Sequence, residues 1–129
     1  IVPANTVVLS FKLTVGRVVI TNEQMTTNEA IAHFNLYDDK LRGYIYAYLK
    51  NYDYKKLGST SSIAIAVNSK IIKSMPIALP SENDLDKFNK STNSIFEKIR
   101  NNEIENNRLE EIKNILLPKL MDGEVDLKK

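Results

Sequence analysis

The chain has 129 residues, 43% hydrophobic and 26% charged, with one histidine and no cysteine. This length allows one domain with a modest core, and the lack of cysteine excludes disulfides and thiolate metal sites and fits a reducing, cytoplasmic compartment. No apolar run approaches the roughly 18 residues needed to cross a bilayer, so we expect no membrane partner. Because Ile1 opens directly into a strand-like run, we expect a fragment of a longer protein.

The formal net charge of +2 is unevenly divided along the chain. Residues 1–80 hold nine Lys/Arg against five Asp/Glu, whereas residues 81–129 hold nine against eleven. The basic excess therefore lies in the first 80 residues, which is compatible with a nucleic-acid partner.

Strand-like alternation dominates the first part of the chain. Apolar residues alternate with polar ones over residues 7–15, and Gly16 then predicts a tight turn before the apolar run 18–20. A second alternating segment covers residues 30–36, and Ile63, Ile65 and Val67 predict a further short strand.

An amphipathic helix is predicted next, because Asp38 and Asp39 form an N-cap and apolar residues recur at helical spacing from Leu41 to Tyr52. Its tyrosine stripe suits either base stacking or core packing, and helical spacing favours the core. Ser69 is a candidate cap for one helical turn over residues 70–74. Two prolines place residues 75–80 at an edge or terminus of the sheet.

The last fifty residues predict one long helix. Ser81 and Asp84 resemble a capping box, Pro118 should kink or end the helix, and Gly123 provides a C-terminal cap. Steps of three and four residues define a coiled-coil-type seam. The predicted helix-pairing residues are Leu85, Phe88, Ile95, Ile99, Asn102, Asn106, Leu109, Leu116 and Leu120. At about 1.5 Å per residue, residues 81–118 span roughly 55 Å.

Two arrangements of this helix are open: pairing with another helix, or lying over its own sheet. We favour pairing, because the helix is longer than the head that it would cover. Without a partner the seam would face water, so we expect an antiparallel homodimer through residues 85–120, with Asn102 and Asn106 near its midpoint. The predicted fold is α+β, a small, partly truncated mixed sheet followed by this helix.

Catalytic chemistry is not predicted. His33 lies in a strand-like segment, and the chain has no nucleophile elbow and no phosphate-binding glycine loop. We therefore expect no catalytic residues, no metal and no cofactor, and a binding role.

The order of motifs resembles the specificity subunit of Type I restriction–modification systems. The segments are Leu-Ser-Phe-Lys-Leu-Thr-Val-Gly-Arg-Val at 9–18, Thr-Asn-Glu-Ala-Ile-Ala at 27–32, a Tyr/Leu-rich helix, Leu-Gly-Ser at 57–59, Met-Pro-Ile-Ala-Leu-Pro at 75–80, and an ending that includes Leu-Leu-Pro-Lys-Leu-Met-Asp-Gly-Glu at 116–124. The ending and the 75–80 boundary are the most specific.

The resemblance implies a non-catalytic, prokaryotic DNA-binding subunit. In this family two target recognition domains each read half of a bipartite double-stranded site, and long antiparallel helices set the spacing. The subunit docks adenine-methylating modification subunits and restriction subunits. Residues 1–80 would be the C-terminal part of a recognition domain, about half its expected size, and residues 81–129 the distal conserved spacer helix.

Candidate DNA contacts follow from physical arguments alone. Lys12, Thr14 and Arg17 lie on the polar face or turn of the first hairpin, which suits phosphate contact and guanine readout by Arg17. Three hydroxyl residues in the polar loop at 58–62 are candidate phosphate donors: Ser59, Thr60 and Ser61. The alternative, that all six are ordinary solvated positions, is about equally supported. The alternative function is a helical assembly module without DNA binding of its own.

Overall fold

The computed structural model describes residues 1–12, 14–57 and 67–123. The chain divides into two compact units, Ile1–Asn93 and Ser94–Lys129. The first unit contains a sheet and helices around a hydrophobic core, and the second is helical over its described residues.

Three short strands form the sheet: β1 Val7–Ser10, β2 Arg17–Ile20 and β3 Ile31–Phe34. Their order is β2-β1-β3, and Leu9 of β1 lies opposite Val18 on one side and Ala32 on the other. The α+β class is confirmed. Every strand pair in the described residues is antiparallel, rather than mixed, because the connections at 11–16 and 21–30 are shorter than a parallel crossover requires.

The first strand is shorter than the sequence predicted. β1 ends at Ser10, whose carbonyl accepts a hydrogen bond from the Gly16 N–H at 3.1 Å. Phe11 follows the strand and is still buried, and its N–H donates to the Ala30 carbonyl at 3.0 Å, so the apolar alternation continues after the strand has ended. Val15 and Gly16 form a turn directly before β2, as predicted.

The other strand predictions have different outcomes. The segment predicted at 30–36 forms β3, and Ala32, Phe34 and Leu36 pack against the core on one side, as alternation indicated. Of the strand predicted around Ile63, residues 61–66 lie outside the described part of the chain. Val67 is buried in the core.

A capped helix follows β3, as predicted. Asp38 accepts a hydrogen bond from the Lys40 N–H at 2.9 Å, and a 3₁₀ helix, Asp39–Leu41, leads into α1, Arg42–Asn51. Ile45 and Leu49 of α1 are buried in the core beside Leu9. The short helix α2 spans Ser69–Lys73. Its N-cap is Asn68, whose side-chain oxygen accepts a hydrogen bond from the Ile71 N–H at 3.0 Å, so the predicted cap at Ser69 was wrong by one residue.

The tyrosine stripe faces the protein, as predicted. Tyr44 and Tyr52 pack against the core, and the hydroxyls of Tyr44 and Tyr48 donate to the carbonyls of Ala78 and Pro76. These hydrogen bonds hold the segment 75–80 against α1. The segment is not part of the three-stranded sheet.

The long helix α3, Glu82–Met121, starts at the predicted cap. The Ser81 hydroxyl donates to the Asp84 carboxylate at 2.7 Å and accepts from the Asp84 N–H at 3.2 Å. The helix does not end at Pro118. The Asp122 N–H donates to the Pro118 carbonyl at 2.9 Å, so the following turn is complete, and Gly123, with φ of 73°, closes it as predicted.

The first turns of α3 belong to the first unit. Leu85 is only 6% exposed and is part of the core, and Phe88 lies edge-on to the Tyr44 ring at 6.1 Å. The expectation that Leu85 and Phe88 would face water was wrong. Both residues continue the apolar seam of α3, but they pack within the first unit.

We expect Ser81→Ala to lower the free energy of unfolding by about 1 kcal/mol, because it removes both hydrogen bonds of the cap. Urea denaturation of the complete chain measures this. Ser91→Ala is the matched control, since the Ser91 hydroxyl bonds to the Lys87 carbonyl inside the helix and alanine is the better helix former. Equal losses in the two variants would contradict a specific role for the cap.

Candidate nucleic-acid interface and helix surface

The candidate interface is built around the end of the β1–β2 hairpin. Gly16 has φ of 92°, and a Cβ at this position would lie 3.1 Å from two carbons of the Tyr54 ring. A side chain at position 16 would therefore be strained in its backbone and crowded by the ring. Glycine here allows the hairpin end and Tyr54 to approach closely.

Tyr54 is fixed at the start of a 3₁₀ helix, Tyr54–Leu57. Its hydroxyl donates to the Leu49 carbonyl near the end of α1 at 2.7 Å, and its ring lies edge-on to Tyr52 at 5.2 Å. Burial, with a smaller contribution from Tyr52, raises the pKa of Tyr54 to about 12. The segment after α1 is therefore anchored to both the helix and the hairpin.

Three of the predicted DNA-binding residues lie at or next to this hairpin end. The Lys12 ammonium is 2.5 Å from the Glu29 carboxylate, and this ion pair lowers the pKa of Glu29 through its hydrogen bond and its charge. The hydroxyl of Thr14 is 3.2 Å from that of Ser10. Lys12 and Thr14 are exposed but already have partners within the protein.

Arg17 differs from these two residues. It is exposed at the first position of β2, opposite Ser10. Within the described part of the chain it has no ion-pair partner. The predicted donors Ser59, Thr60 and Ser61 lie outside the described residues.

Two exposed lysines beside this hairpin were missed by the sequence analysis. Lys55 and Lys56 follow Tyr54 directly in the 3₁₀ helix. A charge count in shorter windows is the signal that indicates them, because residues 50–73 contain five lysines and one acidic residue, Asp53. Residues 1–49 contain four cationic and four acidic residues and are balanced.

The second unit exposes an apolar helix surface. Ile95 and Leu109 are each 56% exposed, and the other predicted pairing residues of this unit are also exposed: Ile99, Asn102, Asn106, Leu116 and Leu120. Four exposed apolar residues outside the predicted seam were missed: Ile112, Ile115, Leu117 and Met121. At 100° per residue they extend the apolar surface around the last turns of α3, so this part of the helix is more apolar than a two-helix seam requires.

An open cleft of about 700 Å³ lies in the first unit between β3 and the segment that carries Met75 and Ile77. Its wall is mostly apolar, with Phe34, Ile72 and Met75 among the lining residues. No group of three or more metal-ligating side chains occurs within the described ranges. In the same ranges, no helix combines the length and apolar character needed to cross a membrane.

The fold and these surfaces define a binding module: a small α+β unit with cations at one hairpin end, and a helix with an exposed apolar surface. The chain belongs to the family of Type I restriction modification DNA specificity domains, whose model matches residues 1–114. The specificity subunits of these systems are non-catalytic DNA-recognition components, which agrees with the expectation of a binding role.

One similar protein is the Type I restriction enzyme HindI specificity subunit of Haemophilus influenzae, which is 34% identical over 128 residues. The alignment covers 96% of this chain and 28% of that relative, so the chain spans less than a third of the relative's length. No solved structure matches the chain significantly.

The raised pKa of Tyr54 predicts a pH dependence of stability. The pKa of Tyr54 is near 10 in the unfolded chain and about 12 in the folded chain. Its contribution to the free energy of unfolding is therefore fully present below pH 10 and is lost as the pH rises towards 12. We expect Tyr54→Phe to lose less stability than the wild type over that interval. Urea midpoints below and above pH 10 measure this, with Tyr37→Phe, at an exposed position, as the control. Parallel pH profiles for Tyr54→Phe and the wild type would refute it.

Proposed function

We propose that this chain forms part of a DNA-recognising specificity subunit of a Type I restriction–modification system. The single observation that carries the proposal is the family match over residues 1–114, which includes the first unit and most of α3. The exposed Arg17 and the neighbouring lysines supply positive charge suited to a phosphate backbone.

We further propose that residues 1–80 are the C-terminal part of a target recognition domain that reads half of a bipartite site. Residues 81–129 would form the distal spacer helix, paired as a coiled coil. In the complete subunit this helix would help to set the half-site spacing and to dock adenine-methylating modification subunits and restriction subunits, in a prokaryotic cytoplasm. The exposed apolar surface of α3 supports a helix-binding role, since burying each such side chain stabilises by roughly 1.5–3 kcal/mol.

Lys12, Thr14 and Arg17 are the proposed DNA contacts of the hairpin end, together with Ser59, Thr60 and Ser61 of the following loop. Arg17 is the strongest of these, because it has no acidic partner in the described residues and an arginine can bind guanine through two hydrogen bonds. Lys12 would have to exchange Glu29 for a phosphate, so its contribution should be smaller.

We expect Arg17→Ala to lower the affinity of the complete complex for its target. A loss of about 1–3 kcal/mol confined to the target sequence would indicate a base contact, whereas a smaller loss on all sequences would indicate a phosphate contact. Fluorescence anisotropy with target and scrambled duplexes measures both. Arg108→Ala, an exposed arginine of the second unit, removes the same charge as the control. Unchanged affinity and specificity for Arg17→Ala would exclude Arg17 from the interface.

The second candidate function is a helical assembly module that does not bind DNA by itself. The exposed apolar surface of α3 favours it. Anisotropy of the 129-residue chain with random duplex DNA over a salt series separates the two functions. Binding that weakens steeply with salt supports DNA recognition, whereas no binding at low salt supports assembly alone for this chain.

We propose that the isolated chain pairs with a second copy of itself through the exposed part of α3. Because Leu85 and Phe88 are engaged in the first unit, the available seam runs from Ile95 to Leu120. An antiparallel pair centred between residues 107 and 108 brings Ile95 opposite Leu120 and Ile99 opposite Leu116. In this register Asn106 lies opposite Leu109 and Asn102 opposite Lys113, so the two polar residues flank the centre of the pair.

We expect sedimentation equilibrium at micromolar concentration to show a dimer, and Ile99→Asp with Leu109→Asp to convert it to a monomer. The two carboxylates would have to be buried in an apolar seam, which is unfavourable. Asn101→Asp with Asn107→Asp adds the same charge at exposed positions off the seam and should leave the dimer intact. A monomeric wild type, or a dimer that survives the seam substitutions, would contradict this pairing.

A further inference from the structure

We propose that Lys55, Lys56 and Arg17 form one phosphate-binding surface for duplex DNA, held together by the contact between the Tyr54 ring and Gly16. This inference rests on the proposed DNA-binding function and deepens it by assigning the backbone contacts to a 3₁₀ helix that is remote in sequence from the hairpin.

The distribution of charge is the first support. The basic excess of the first 80 residues lies wholly in residues 50–73, since residues 1–49 are balanced and residues 74–80 carry no charge. Asp53 is the one acidic residue of this interval. A segment with five lysines and one carboxylate carries a net positive charge, which attracts a polyanion.

Ion pairing is the second support, because it engages two cations of the first unit that lie outside this surface. Lys12 pairs with Glu29, and Arg42 pairs with Asp39. In contrast, Arg17 and Lys55 have no ion-pair partner in the described ranges. The Lys56–Asp53 pair is exposed and long, at 3.8 Å, and such a pair contributes little.

The third support is the rigid link between the two segments. The sheet register fixes Arg17 opposite Ser10, and the preceding residue, Gly16, contacts the ring of Tyr54. Tyr54 is in turn bonded to the Leu49 carbonyl at 2.7 Å. The lysines that follow Tyr54 are therefore held beside the hairpin end.

The direction of the side chains suits neighbouring phosphates. Successive residues of a 3₁₀ helix point about 120° apart, so Lys55 and Lys56 reach different points rather than one. Flexible lysine side chains bind phosphate as point charges without demanding geometry. The two lysines therefore favour the sequence-independent part of DNA binding.

The test compares two double variants of the complete 129-residue chain by anisotropy with a random duplex over a salt series. Lys55→Gln with Lys56→Gln removes two charges from the proposed surface. Lys87→Gln with Lys90→Gln removes two charges from exposed positions of α3 in the same unit, and neither lysine has an ion-pair partner among the described residues. Circular dichroism establishes that both variants are folded, which is expected because all four side chains are exposed.

We expect the Lys55/Lys56 variant to lose on the order of tenfold in affinity at low salt. The slope of log affinity against log salt should fall by about two, close to one unit for each phosphate contact. The control should retain the wild-type slope. If the wild type binds with a steep salt dependence but the Lys55/Lys56 variant matches it, or if the control loses as much, this surface is refuted while the DNA-binding function stands. If the wild type shows no salt-dependent binding, both fail.

Discussion

The pairing of β1 on both of its edges is the constraint on which the first unit depends. Leu9 is fully buried between Val18 and Ala32 of the flanking strands. The same register sets Ser10 against Arg17 and therefore fixes where the hairpin turns. Helix α1 packs across this sheet with Leu49, also fully buried. The end of α1 is thereby brought to the hairpin end, and the Tyr54 contact with Gly16 follows from it.

The long helix serves two kinds of packing along one sequence. Near its start, Leu85 and Phe88 complete the first unit, and Asn89 donates to the Lys40 carbonyl at 3.0 Å. In the second unit the same three- and four-residue spacing leaves apolar side chains exposed. Burial of each of these residues would contribute about 1.5–3 kcal/mol, which supports the proposal that another helix covers them. The spacing of apolar residues along a helix does not by itself show which turns already pack against the rest of the chain.

Much of the fold could be predicted from the sequence, because local signals with a direct physical cause were present. The Asp38 cap, the Ser81–Asp84 box and the Gly123 terminus each depend on residues within a few positions of one another. The end of β1 could not be predicted, since Phe11, the residue after the strand, is still buried and still donates a hydrogen bond to the Ala30 carbonyl. Pro118 does not end the helix, because the Asp122 N–H bonds to the Pro118 carbonyl and closes the last turn.

The candidate interface was predicted only in part, for a related reason. Alternation placed Lys12, Thr14 and Arg17 on the hairpin, but it contains no information on the contact between Gly16 and Tyr54, which are 38 positions apart in the chain. Lys55 and Lys56 lie in a short 3₁₀ helix without hydrophobic periodicity. Neither the two-residue apolar pattern of a strand nor the 3.6-residue pattern of an α-helix therefore identifies them.

Local neutralisation also explains why total charge is a poor guide to the interface. A net charge of +2 averages paired and unpaired groups together, although a cation that already has a carboxylate beside it attracts phosphate weakly. Lys12, which the hairpin pattern selects, is such a group, because its ammonium contacts Glu29. Arg17 and Lys55 have no such partner in the described part of the chain. Which of the cations are free to attract phosphate therefore depends on tertiary contacts, which the sequence pattern does not show.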